Sequence, residues 1–461
     1  MKKLLGSTLA LALLVPAGAN AELLKNLKVS GSLEVDAVSA NNVADFNTKK
    51  YDKINTVQTR LMVHTDWDVL DDVHAHLSLD KNNRTYGTGS ENLQTVQANI
   101  TVDEAYVKID KLFGALDTTI GRQYYGEAGD LVIYFGPKYN LYGLPITALD
   151  GGRFDWNGEK VGVTLLASKV VGSGLVSAVV PTPAGAAASD TGNVDLAGID
   201  LHAKPADNIT GSVYLYDRTT INSGTGPLNV VGNDYLYVAG LKAKVTMGGA
   251  WLKGEFDKDF GTNRTVPNTA GGRNIYALSG NYTGMAAKLD AGAKVDTLVG
   301  AVTGWGQYGI GSGGANGNRA FQAIAGDYRP GGIYGRFLAS NQLGGGFNLG
   351  FASTLSNLQV IGVGAKVTPS ALSKLTAGVS WYNYRFQNFA GAQAIAGPGA
   401  AVGGKQLGNE ADLDLTWQHS ENVSVSIGAG DFQPNGFIKT QLSGNGVSPA
   451  TLCYADASIK F

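Results

Sequence analysis

The sequence predicts an all-β protein: a single antiparallel transmembrane β-barrel of 18 strands, within a range of 16 to 20. Three observations predict it. The chain opens with an export signal, its apolar residues alternate with period two, and its short connections alternate with long ones.

Lys2 and Lys3 form a basic start, Leu4 to Leu14 an apolar run, and Ala19-Asn20-Ala21 places small residues where a signal peptidase reads them. Residues 1–21 are therefore expected to be a cleaved secretory signal peptide, and 22–461 one outer-membrane barrel domain. No later run of 18 apolar residues offers a membrane-spanning helix. Composition agrees with scattered apolar residues. Glycine numbers 64 in 461 residues, roughly twice ordinary usage, and charged residues are only 16%. The net charge of −2 excludes a strongly basic nucleic-acid binder. The single cysteine, Cys453, excludes a disulfide framework and a thiolate metal cluster.

Strands follow in order. Leu27, Val29, Leu33, Val35 and Ala37 share one parity against Lys28, Ser30, Ser32, Glu34 and Asp36. Leu61, Val63 and Trp67 oppose Arg60, His64, Asp66 and Asp68, and Val73, Ala75, Leu77 and Leu79 oppose His74, His76 and Asp80. Ala287, Leu289 and Val295 oppose Lys288, Asp290 and Lys294, and Ala411, Leu413 and Leu415 oppose Glu410, Asp412 and Asp414. Such alternation over about ten residues is a strand with one apolar face. Leu33, Val63, Leu77, Val163, Leu289, Leu413 and Ile459 are expected to face lipid.

A soluble sandwich also alternates, so the connections decide. Eight are short: 70–72, 111–114, 157–159, 205–208, 246–248, 283–285, 369–373 and 420–421. Nine are long: 39–55, 83–96, 125–145, 171–192, 219–232, 260–271, 297–356, 387–406 and 433–448. They alternate strictly, as tight periplasmic turns and long extracellular loops do in outer-membrane barrels. Trp67, Trp156, Trp417 and Tyr282 stand just before short links, where amphipathic rings form an interfacial girdle. The last strand alternates to a terminal Phe461, which resembles the recognition signal of the barrel assembly machinery.

Two stretches resemble the alginate-export family of outer-membrane porins. One is Leu407 to Phe437, LGNEADLDLTWQHSENVSVSIGAGDFQPNGF. The other joins Gly121-Arg122-Gln123 to Asp150-Gly151-Gly152-Arg153-Phe154. The resemblance implies an 18-stranded barrel for diffusion of sugars or other small anions. The family is known for an arginine-rich pore. Here the inward parity carries more acids than bases, and a net-acidic wall disfavours a polyuronate.

Inward parity assigns the pore lining to Arg60, Asp66, Asp68, His74, His76, Glu104, Lys108, Arg153, Asp155, Arg218, Lys253, Glu255, Lys288, Asp290, Lys294, Glu410, Asp412 and Asp414. The turn after Leu70 sets Asp68 opposite His74 and Asp66 opposite His76. His64, His74 and His76 admit two readings: a lumenal metal or proton-sensitive site, or cross-strand hydrogen bonds beside water. The second needs no ligand and is the expectation. Arg122, Arg319, Arg329 and Arg336 are candidates for a constriction. Arg122 shares the parity of lipid-facing Ile120, so either a bulge at Gly121 turns it inward or it sits at the outer rim. The other three belong to 297–356, a glycine-rich stretch long enough either to fold inward and narrow the lumen or to stay outside as a surface lid or flexible decoration.

No enzyme is expected. Gly309-x-Gly311-x-x-Gly314 imitates a dinucleotide fingerprint but has no helix to follow, and neither a nucleophile elbow nor a phosphate loop occurs. No cofactor and no metal are expected. The expected partners are outer-membrane lipid, small hydrophilic solutes and the assembly machinery, in the outer membrane of a diderm bacterium. The alternatives are a closed or enzymatic outer-membrane barrel and a secreted β-rich adhesin. Conductance separates the first from a porin, and membrane extraction the second.

Overall fold

The computed structural model describes residues 25–43, 46–47, 49, 53–85, 100–139, 144–171, 194–223, 231–263, 280–314, 319–339, 354–396, 401–442 and 446–461. The expected signal peptide, 1–21, lies outside the described residues. The strands that form the wall are β1 (Lys25–Asn41), β2 (Ile54–Leu70), β3 (Val73–Thr85), β4 (Ile100–Leu112), β5 (Leu116–Gln123), β6 (Leu149–Asn157), β7 (Val161–Val171), β8 (Val194–Ala206) and β9 (Ile209–Ser223). They continue as β10 (Val231–Met247), β11 (Ala250–Asn263), β12 (Met285–Thr297), β13 (Gly300–Gly311), β14 (Leu358–Pro369), β15 (Leu375–Phe386), β16 (Gln406–Ser420), β17 (Val423–Pro434) and β18 (Ala450–Lys460). Each pairs antiparallel with its sequence neighbours, and β18 returns to β1, closing an 18-strand barrel. Hydrocarbon offers backbone groups no hydrogen-bond partner, so a spanning sheet must close on itself.

The outer surface is apolar where the bilayer is the missing partner. Val29, Leu165, Val213, Leu241, Leu289, Leu413 and Ile427 are all exposed there. Of the residues expected to face lipid, Leu289, Leu413 and Ile459 are exposed, and Leu33, Val63, Leu77 and Val163 are half-buried between neighbours. Trp67, Trp156 and Trp417 sit near the short-turn rim as expected, at the ends of β2, β6 and β16.

The strand count holds through two shifts that offset each other. The expected short link at 283–285 belongs to a long connection between β11 and β12, in which Gly280–Asn281 pairs with the end of β11. The missing short turn is Leu298-Val299, inside the stretch expected to be one long loop. That loop therefore spans 312–357. The cause is the composition of β13, GAVTGWGQYGIG, whose glycines read as loop because glycine is a poor strand former. Gly309 and Gly311 have a packing reason. A Cβ at Gly309 would meet the Tyr328 hydroxyl at 3.0 Å, and one at Gly311 would meet Leu355 O at 1.9 Å. Both contacts come from the 312–357 loop, which lies against this part of the wall. Tyr282 leaves the girdle with the shifted turn. It is buried and donates its hydroxyl to Asp234, at 2.9 and 3.0 Å to the two oxygens.

Candidate functional site

Two long connections fold into the barrel and dock on each other. The first is 312–357. It contains a short helical stretch whose π-helical turn is Tyr334–Leu338. The first backbone N–H groups of such a stretch have no internal partners and carry partial positive charge. Wall carboxylates supply the acceptors. Gly332 N–H reaches Asp412 at 3.2 Å, and Ile333 and Tyr334 N–H reach the two oxygens of Glu410 at 2.5 and 3.2 Å. Tyr384 adds its hydroxyl, donating to Glu410 at 2.9 Å and to Pro330 O at 3.1 Å. Further along, Arg336 forks between two strands. Its Nη1 donates to Asp36 at 2.8 Å and its Nη2 to Asp456 at 2.7 Å, with its guanidinium 4.2 Å over the Tyr454 ring. On the opposite wall, Asp259 accepts from Gln322 N–H at 2.7 Å.

The second inward connection is 124–148, between β5 and β6. Arg60, fully buried and ion-paired to Glu34, donates Nη1 to Lys138 O and Leu144 O at 3.1 and 3.2 Å. At the far wall Lys242 pairs with Asp130 and lies 3.5 Å from Glu255, while the Tyr125 and Tyr216 hydroxyls meet at 3.0 Å. The segment thus crosses the lumen from β2 to β9 and β10.

The two connections join around Asp327. It accepts from Gly129 N–H at 2.9 Å, from Arg329 Nε at 2.9 Å and lies 3.2 Å from Lys138 Nζ. Burial alone would raise its carboxyl, but the hydrogen bond and charge of Arg329, with the Lys138 ammonium, hold it below the ordinary value. Arg329 also donates to Tyr139 O at 3.3 Å, and backbone bonds between Ala325 and both Val132 and Tyr134 complete the joint.

What remains open beside this joint is a cavity of about 460 Å³. The loops contribute Tyr139, Asp327, Tyr328 and Arg329 to it. The wall contributes Lys288, Gln307, Ser380, Asp412, Asp414 and Tyr454. Cations (Lys288, Arg329, Arg336) and carboxylates (Asp327, Asp412, Asp414) thus share its lining.

Most of the residues expected to line the pore fall into three groups. Asp66, Asp68, His74, His76, Glu104 and Lys108 gather on β2 to β4. His74 and His76 meet Asp68 and Asp66, each at 2.6 Å, in the cross-strand pairs the register implied. Lys288, Asp412 and Asp414 border the 460 Å³ cavity. Arg60, Glu255 and Glu410 face inward but are buried beneath the loops, where they anchor backbone or charge and do not border water. Of the rest, Arg153 pairs with Asp155 and Lys288 with Asp290, Lys253 lies 3.9 Å from Glu127, Arg218 stands between Leu196 and Leu236, and Lys294 is exposed beyond them.

The expected constriction needs correction at two of its four arginines. Register runs unbroken through Gly121, so no bulge turns Arg122 inward. Arg122 stays on the outer face and pairs with Asp150 at 2.8 Å, next to Lys169 paired with Asp195. This charged row lies toward the long-loop ends of β5 to β8, above the apolar belt. Arg319 is exposed at the root of its loop. Arg329 and Arg336 do lie inside, but each already serves a carboxylate. Sequence reasoning passed over Lys138, Tyr139 and Asp130, because their connection showed only its length and nothing of its direction.

Comparison with known proteins agrees with this geometry. The alginate export family model matches residues 341–446. No curated protein sequence matches the chain. Among solved structures, OccK11 (OpdR) of Pseudomonas aeruginosa is 13% identical, with a TM-score of 0.55 over 95% of this chain and 97% of that one. OccAB3 of Acinetobacter baumannii is 10% identical, with a TM-score of 0.55 over 95% and 100%. OpdK of Pseudomonas aeruginosa, solved with vanillate, is 11% identical, with a TM-score of 0.52 over 95% and 99%. The chain is an outer-membrane β-barrel with the 18-stranded fold of these porins, and it resembles the alginate-export family over residues 341–446.

Proposed function

We propose that the protein is an outer-membrane porin that passes small hydrophilic solutes by diffusion, without cofactor and without catalysis. One observation carries the reading: two inward connections, anchored on opposite walls and joined at Asp327, narrow the lumen and leave beside the joint an opening of about 460 Å³ lined by charges of both signs. A general channel has no use for so many anchors. A closed structural barrel has no use for a polar opening lined by Lys288, Arg329, Asp412 and Asp414. Fixed charges of both signs across a narrow path orient a dipolar solute and add no net repulsion for a neutral one. Arg329 and Arg336 are each matched by carboxylates, so the opening lacks the unpaired cationic track that a polyanion needs. Short saccharides and small solutes carrying both charges suit it best, and monovalent organic anions suit it less well.

Planar-bilayer recording together with liposome swelling tests this. The expected result is stepwise conductance and swelling rates that rank neutral and zwitterionic solutes above anions of equal size. Absence of conductance steps from folded protein would turn the reading to a closed barrel.

A further inference from the structure

We propose that His64, His76 and Glu104 form a binding site for a divalent transition-metal cation on the lumen wall, with an open coordination position toward the channel. The site follows from register. Ser78 on β3 lies between His64 on β2 and Glu104 on β4, in one row across three strands. Its small side chain lets its two neighbours approach over it. His76, two residues earlier on β3, fills the third corner. One ligand atom from each of the three residues lies within 4.8 Å of the other two.

Both flanking ligands are already oriented. His76 Nδ1 meets Asp66 at 2.6 Å, which places the proton on Nδ1 and leaves the Nε2 lone pair free. That Nε2 is buried and faces Glu104 Oε2 at 3.3 Å, a contact that a cation held between the two atoms would replace. Glu104 Oε1 accepts from Tyr124 N–H at 3.1 Å, so Oε2 is the oxygen left for the site. The His76 ring is further held by stacking on Tyr106 at 4.7 Å. Carboxylate-to-histidine support of this kind fixes the tautomer and raises ligand basicity at metal sites. Two imidazole nitrogens and one carboxylate oxygen, with one position free, suit zinc and its late first-row neighbours and do not suit calcium or magnesium. His64 borders a lumenal cavity of about 650 Å³, which gives a cation a way in.

His74 supplies the contrast. It lies two residues from His76 on the same strand, but both its nitrogens are engaged, by Asp68 at 2.6 Å and Asp110 at 3.1 Å. Its carboxylate partners do not converge with it into a three-ligand group among the described residues, so it is not a ligand.

The test is Zn²⁺ titration of the full-length barrel in detergent by calorimetry, with folding of each variant checked by heat-modifiable mobility. One Zn²⁺ per chain is expected. Affinity should fall at least about 100-fold in His64→Ala and His76→Ala, and about 10- to 100-fold in Asp66→Asn, where only orientation is lost. His74→Ala should bind as the parent does. Absence of stoichiometric binding by the folded parent, or equal affinity in folded His64→Ala, would overturn the proposal. If His76→Ala does not fold, Asp66→Asn tests the same ligand in its place, and unchanged affinity there would refute the proposed support.

Discussion

Arg336 and Asp36 are joined at 2.8 Å inside the barrel, an ion pair between an inward loop and the first strand, both members nearly inaccessible to solvent. Because Arg336 reaches Asp456 at 2.7 Å as well, the same guanidinium ties the loop to the seam where β18 meets β1. Loop closure and barrel closure are therefore linked at one side chain.

Replacing Arg336 by Ala leaves buried Asp36 and half-buried Asp456 without their cation. Removing one member of a buried pair costs about 3–5 kcal/mol. The loop should leave the wall, single-channel conductance should rise, and trypsin should gain access to 312–357. Conductance equal to the parent would show that the other anchors suffice.

Selectivity should be set less by arginine than its number in the loop suggests. The parent is expected to be weakly cation-selective in a KCl gradient, since Arg336 and Arg329 are matched by acids. Arg329→Ala releases Asp327 from its closest cation and should move the reversal potential further toward cations. Arg319→Ala, altering an exposed residue, should leave it unchanged.

Acid should open the joint only at low pH. Arg329 and Lys138 hold the Asp327 carboxyl below its ordinary value of 3.8, against the effect of burial. A group whose folded value is depressed stabilises at pH above the unfolded value and stops doing so as pH falls through the folded one. Asp327 should thus add nothing to any conductance change between pH 7 and about 4. Its contribution should appear below that range and be absent in Asp327→Asn. A rise between pH 6 and 5 that Asp327→Asn abolishes would contradict this assignment.

The lipid face makes a separate prediction. Leu413 is exposed on β16 between inward-facing Asp412 and Asp414. Leu413→Arg should cost about 2–4 kcal/mol in urea unfolding from bilayers if the residue sits near the midplane. A cost near zero would place it outside the hydrocarbon.

Phe461 closes the barrel in space as well as in sequence. Its N–H donates to Gly31 O at 3.0 Å and its carbonyl accepts from Gly31 N–H at 2.8 Å. Its ring lies where a Cβ at Gly31 would be, at 2.6 Å. Deleting Phe461 should reduce the heat-modifiable folded band strongly, and Gly31→Leu should do so by displacing the ring. Lys460→Ala removes neither the strand pairing nor the ring and should leave the band intact.

Alternation alone carried the wall. A period of two over a dozen residues puts apolar side chains on one face whatever the rest of the chain does, and the rhythm of short and long links makes that face lipid-facing. Lumenal pairs within one hairpin, such as Asp66 with His76, were legible too, because the turn sets the register. Where glycine replaces the alternating residues, as in β13, the pattern vanishes, and only packing of Tyr328 and Leu355 on Gly309 and Gly311 explains why a strand is there. The direction of the loops was decided by tertiary structure. Asp36, Glu410 and Asp456 are ordinary inward acids in sequence, and nothing local distinguishes them from residues that face water. They become anchors because closing the barrel brings strands far apart in the chain around one lumen, where buried carboxylates must find N–H groups and guanidinium, and 312–357 supplies both.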